Sequence, residues 1–95
     1  RNVISVGPGA PYGLGDTPNA VQTVTMATPG SLTGVPAANT VGSGSSSNAV
    51  IAAWGPDRVA GGGRIAVVMD INWIAEQYRA DNWHLFVENL AHFLG

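Results

Sequence analysis

Ile65 to Met69 is an unbroken apolar run, introduced by Gly61-Gly62-Gly63-Arg64 and closed by Asp70. It is short enough for a β-strand and far too short for a membrane span. A strand without polar alternation belongs inside a sheet covered on both faces, an arrangement typical of parallel sheets. The run therefore predicts a central strand in an α/β fold. Asp70 would stand at that strand's C-terminal end, where open α/β sheets gather their ligand sites.

Other strands read less strongly. Val3, Ile4 and Val6 suggest a short first strand. Val21 to Thr28 alternates, with Val21, Thr23, Thr25 and Ala27 on one side and Gln22, Val24, Met26 and Thr28 on the other, a strand with one semi-polar face. Asn48 to Trp54 is nearly all apolar and makes a further strand, left through Gly55-Pro56-Asp57. Residues 7–18 hold Pro8, Pro11 and Pro18 among their glycines, which excludes a regular helix or strand. Residues 29–47, with Gly30, Gly34, Pro36, Gly42 and Gly44 and ending in Ser45-Ser46-Ser47, predict a long surface loop. After Asp70, Ala75 to Tyr78 offers at most one helical turn.

The clearest helix runs from about Asn82 to Leu94. Asp81 or Asn82 suits the N-cap. At 100° per residue Trp83, Phe86, Val87, Leu90, Phe93 and Leu94 share one face, and Gly95 ends the helix. His84, Glu88 and His92 share the opposite face at a spacing of four. That spacing could ligate a metal, but a solvated face accounts for it without one.

Composition narrows the function classes. The net charge is −2 and all four basic residues are arginines, so neither a nucleic-acid footprint nor an anionic membrane surface is expected. No stretch reaches the length of a membrane helix. The absence of cysteine removes disulfides, thiolate metal sites and cysteine nucleophiles together. Gly7, Gly9 and Gly13 miss the dinucleotide-loop spacing by one, and Pro8 and Pro11 lack amides that a phosphate would need, so no cofactor is expected. Charged residues make up only 11% of the chain, which is rich in Ser, Thr, Asn and Gly. This leans towards an extracellular or cell-surface protein. The 95 residues suffice for one domain, residues 1–95. The chain opens at Arg1, so it is expected to be processed or cut from something longer.

Gly63-Arg64-Ile65-Ala66-Val67-Val68-Met69-Asp70-Ile71-Asn72-Trp73, followed by Asp81-Asn82 and by Phe86 through Leu94, resembles the end of class I glutamine-amidotransferase-like domains. That superfamily is flavodoxin-like. Asn89 stands where its helix asparagine would be, and Asn48 to Trp54 is similar to the strand that forms a hairpin with the Gly-Arg strand. Val21 to Pro29 with Ser31-Leu32 looks like the segment after the family's His-Pro-Leu turn, although Thr17-Pro18-Asn19 departs from it. The resemblance covers about residues 17–94. It implies a three-layer α/β sheet of which this chain supplies only the C-terminal part. Active members use a nucleophilic cysteine on an elbow, and this chain has neither the cysteine nor a Gly-x-Ser-x-Gly elbow. The implied role is therefore non-catalytic, structural or binding, within a larger exported protein.

The residues that could carry binding are Asp70, Asn72, Trp73 and Trp83. Asp70 and Asn72 could hold a polar ligand or metal at the sheet edge, or could bond local amides of the strand-to-helix loop. Trp73 and Trp83 could form a sugar platform, which would make the chain a carbohydrate-binding module, or could be core. A further alternative makes Asp70, Asn72 and His84 part of a hydrolase site completed by another segment or chain. With one convincing helix to cover the sheet, the second face would stay exposed. The expected partner is another chain, or the missing N-terminal half of the same domain, pairing along Ile65 to Met69.

Overall fold

A computed structural model of the protein describes residues 2–26, 29–45, 47–69 and 83–95. The fold mixes strand and helix: a curled five-stranded antiparallel sheet carries one C-terminal helix. The strands are β1 (Asn2–Ser5), β2 (Thr23–Met26), β3 (Thr40–Ser43), β4 (Ala49–Trp54) and β5 (Ile65–Val68), followed by helix α1 (Trp83–Leu94). Their order across the sheet is β2-β1-β3-β4-β5, and every neighbouring pair is antiparallel.

This arrangement corrects the expectation of a parallel sheet centred on Ile65 to Met69. Within the described sheet β5 is an edge, paired only with β4. The reason lies in the connection. Residues 55–64 join β4 to β5, and a parallel crossover needs roughly a dozen residues or more, usually with a helix. So short a connection returns the chain antiparallel, as a hairpin with Trp54 opposite Ile65 and Ile51 opposite Val68. The strand buried on both faces is β4 instead, where Ala49 to Ala53 are all buried. Its alanines explain part of the difference, since a methyl side chain is hidden by the larger residues beside it on the sheet, as Ala52 is between Thr40 and Val67.

The long loop expected over residues 29–47 contains β3. Gly42 hid it, because glycine reads as a strand breaker. Here glycine is needed for packing. A Cβ at Gly42 would come within 2.9 Å of Ile4 Cγ2 and 3.0 Å of Ile51 Cδ1. Ile4 and Ile51 meet across β3 because nothing projects between them.

Strand alternation separates two faces. On the inner face lie Ile4, Val24, Met26, Ile51 and Ala53, all buried. Helix α1 packs on this face with Trp83, Phe86, Leu90 and Phe93, and Leu14 and Val21 join them from the loop between β1 and β2. The Trp83 ring meets Phe86 edge-on at 5.8 Å. The buried arc of α1 differs from the expected stripe at its margins. Asn89 is inside, Val87 is half-buried and Leu94 is 51% exposed. On a 100° wheel Asn89 lies about 60° from Phe86, whereas Leu94 lies about 80° and Val87 about 100° to the other side. The arc is centred near Phe86 and so takes in the polar residue and loses the two aliphatic ones.

Leu90 is 7% exposed and forms part of this core. Leu90→Ala is expected to lower stability by about 2–5 kcal/mol in urea unfolding, as for buried leucines generally. A loss under about half a kcal/mol would show α1 to be peripheral to the core.

Candidate interaction site

The expected binding residues Asp70, Asn72 and Trp73 lie outside the described residues, as does the Asp81-Asn82 cap. Trp83 is described, and it is a core residue: 1% exposed, with its indole N–H donating to the Thr25 carbonyl at 2.6 Å. It presents no open ring face on which a sugar could stack. His84 and His92 are exposed on the outer side of α1, as the wheel predicts. Glu88, between them, accepts from Asn19 Nδ2 at 2.7 Å. Among the described residues no three His, Cys, Asp or Glu side chains gather as a metal site requires.

Asn89 is wholly buried, and both its amide hydrogens and its oxygen are engaged. Its Nδ2 donates to the Leu14 carbonyl at 2.9 Å and to the Asn19 carbonyl at 2.8 Å, while Oδ1 accepts from the Asn19 backbone N–H at 2.9 Å. Asn19 answers by donating through Nδ2 to the Leu85 carbonyl at 3.1 Å. Two asparagines 70 residues apart thus clamp the β1–β2 loop to the helix. The amide suits this place because it alone offers two donors and an acceptor in one plane to a peptide edge. With both amide hydrogens and Oδ1 engaged and the side chain wholly buried, Asn89 holds structure and is closed to a ligand.

What the described surface does offer is the outer side of β5, where Ile65 is exposed, whereas Ala52 on the same side of β4 is fully buried. The cross-strand pairs Trp54 with Ile65 and Ala52 with Val67 share one face, opposite the side on which α1 packs. Towards the other edge the same face turns polar through Thr40, Ser43, Ser5, Thr25 and Thr23. Ile65 is 48% exposed on this apolar half, beside a half-buried Trp54 and a half-buried Val67. At the far end of the sheet Val3 is 59% exposed.

The β5 edge itself is open among the described residues. The Met69 amide donates to the Val50 carbonyl at 3.1 Å, which fixes the ladder's phase. By the alternation of antiparallel ladders, Val67 and Ile65 then bond towards β4, while Ala66 and Val68 turn their N–H and C=O groups away from it. An edge of this kind is a ready template for a further strand. Because every residue from Ile65 to Met69 is apolar, the run carries no sign of which residues face outward. Only the register with β4 decides that.

Comparison of the chain with protein-family models, with curated proteins and with solved structures finds no match.

Proposed function

We propose that this chain is a non-catalytic structural or binding part of an amidotransferase-like domain in a larger exported protein, and that its β5 edge receives a strand from another chain or from the preceding half of the same domain. The observation that carries this reading is the state of Ile65: a large aliphatic residue, 48% exposed, on a strand that among the described residues pairs with β4 alone. An added strand would make β5 interior, which is the environment its unalternating sequence suits. Side chains of the added strand would also flank Ile65 on the outer face. Main-chain pairing supplies affinity in such strand addition, and side chains on alternate positions supply selectivity. The lack of a cysteine and of a serine elbow supports the non-catalytic part of the reading. The low content of charged residues supports the exported part.

Light scattering on the isolated 95-residue chain, with binding of a hydrophobic dye, tests the reading. The expected result is self-association or strong dye binding, with both reduced in Ile65→Lys, since a charge on an edge strand opposes strand addition. A soluble wild-type monomer that melts sharply and binds no dye would overturn it.

A further inference from the structure

A second feature lies at the C-terminal end of α1, where Tyr12, Pro56, Arg64, His92 and Phe93 line a cleft of about 270 Å³. We propose that this cleft binds a small carboxylate with a flat apolar body, the body against Tyr12 and Phe93 and the carboxylate on Arg64 and His92. The volume falls just below the range of roughly 300–1,000 Å³ that drug-sized ligands occupy, so the ligand is small.

Tyr12 is the built part of the site. Its backbone is left-handed, with φ 59° and ψ 21°, a conformation unfavourable to a bulky side chain. Such a residue persists only where its surroundings over-determine it, and such places cluster at ligand clamps. Here four contacts do so. The phenol donates to Asp57 Oδ1 at 2.8 Å and accepts from Asn39 Nδ2 at 3.3 Å. Asn39 is itself fully buried and anchored to the Ala53 carbonyl at 3.0 Å. The Tyr12 ring lies directly over Gly55, where a Cβ would come to 2.5 Å from Cε1. Its other neighbour is Phe93, with ring centroids 5.3 Å apart and planes tilted by 38°. The aromatic wall is therefore set before any ligand arrives, which removes the ordering cost of binding.

Charge selects the other end of the ligand. Arg64 has no ion pair among the described residues. Asp57 is engaged by Tyr12 and by an ion pair with Arg58 at 3.8 Å, and it does not line the cleft. A planar guanidinium fork matches a planar carboxylate in a bidentate pair. The cleft adjoins the last turn of α1, whose dipole is negative there and disfavours any anion; Arg64 and His92 have to outweigh it, which favours the single charge of a carboxylate over a phosphate dianion.

Ligand-observed saturation-transfer NMR on the full chain, with benzoate, benzamide, benzylamine and phenyl phosphate as probes, tests this proposal. Benzoate is expected to bind saturably in the millimolar range, as its size allows. The other three are expected to bind at least about tenfold more weakly, the value of one charge-assisted contact. Arg64→Gln should bring benzoate down to the level of benzamide while leaving the melting temperature unchanged. Equal binding of benzoate and benzamide, undiminished benzoate binding by Arg64→Gln, or no saturable benzoate binding would each overturn it. The readout is independent of self-association, so this inference and the strand-addition reading can fail separately.

Discussion

Asn89→Ala is expected to destabilise the protein by about 3–5 kcal/mol, enough to unfold much of a domain whose total stability is of the usual order of 5–15 kcal/mol. The figure rests on what is left behind. Truncation strands the Leu14 carbonyl, the Asn19 carbonyl and the Asn19 amide, each bonded only through Asn89 among the contacts described above. A buried polar group without its partner costs about 1–3 kcal/mol, and water entering the small gap offsets part of the sum. Asn89→Leu separates this cause from lost volume. It restores the bulk but none of the bonds, so it should be as damaging as alanine. Glu88→Ala removes a single exposed bond to Asn19 and should cost less than about 1 kcal/mol. Urea unfolding of the three variants measures these differences. An Asn89→Leu variant within about 1 kcal/mol of wild type would show that the clamp adds little.

Gly15→Ala is expected to be at least as severe, with a melting temperature lowered by roughly 15–30 °C or no folded protein at all. Gly15 is buried, and a Cβ there would run into the carbonyl group of Gly7 and to within 3.2 Å of Ala10 Cβ. Backbone cannot rotate aside as a side chain can. Nor can either strand of backbone retreat freely. The Gly7 amide is bonded to the Val21 and Gln22 carbonyls at 3.1 Å each, and the Gly15 carbonyl accepts from the Val21 amide at 2.8 Å. Relieving the contact would break the exit of β1 and the entry to β2 together. Gly9→Ala is the matched control, since a Cβ at Gly9 meets nothing within 4 Å. It should stay within about 0.5 kcal/mol of wild type. Circular-dichroism melts of the two variants decide the matter, and a Gly15→Ala protein melting within a few degrees of wild type would refute the account.

Both positions show where sequence reading stops. In the sequence Asn89 is only a polar residue near an apolar stripe. That its partner is Asn19 follows from how the β1–β2 loop folds back over α1, and nothing local to either residue encodes that path. Gly15 sits in a Gly/Pro-rich segment that reads as a loop, and glycine in a loop suggests freedom. The close approach of Gly7 makes the same residue a packing requirement. Gly42 repeats the lesson, because the absence of a side chain between Ile4 and Ile51 is what lets β3 lie inside the sheet.

By itself the sequence determined the elements whose signal is local. Val21 to Thr28 alternates, and β2 lies within it with Val24 and Met26 inward. Asn48 to Trp54 and Ile65 to Met69 are β-prone apolar runs between breakers, and β4 and β5 lie within them. The helical spacing of Trp83, Phe86, Leu90 and Phe93 set the buried face of α1 because that period is a property of the helix alone. Tertiary structure decided the rest: the antiparallel order, the burial of β4 instead of β5, the strand inside residues 29–47, the Asn19–Asn89 clamp and the exposure of Ile65 on the outer face. Those depend on which distant segments meet. An apolar run specifies that a strand wants cover, but hydrophobic burial has no direction, and the length of the connection from Trp54 to Ile65 chose the neighbour.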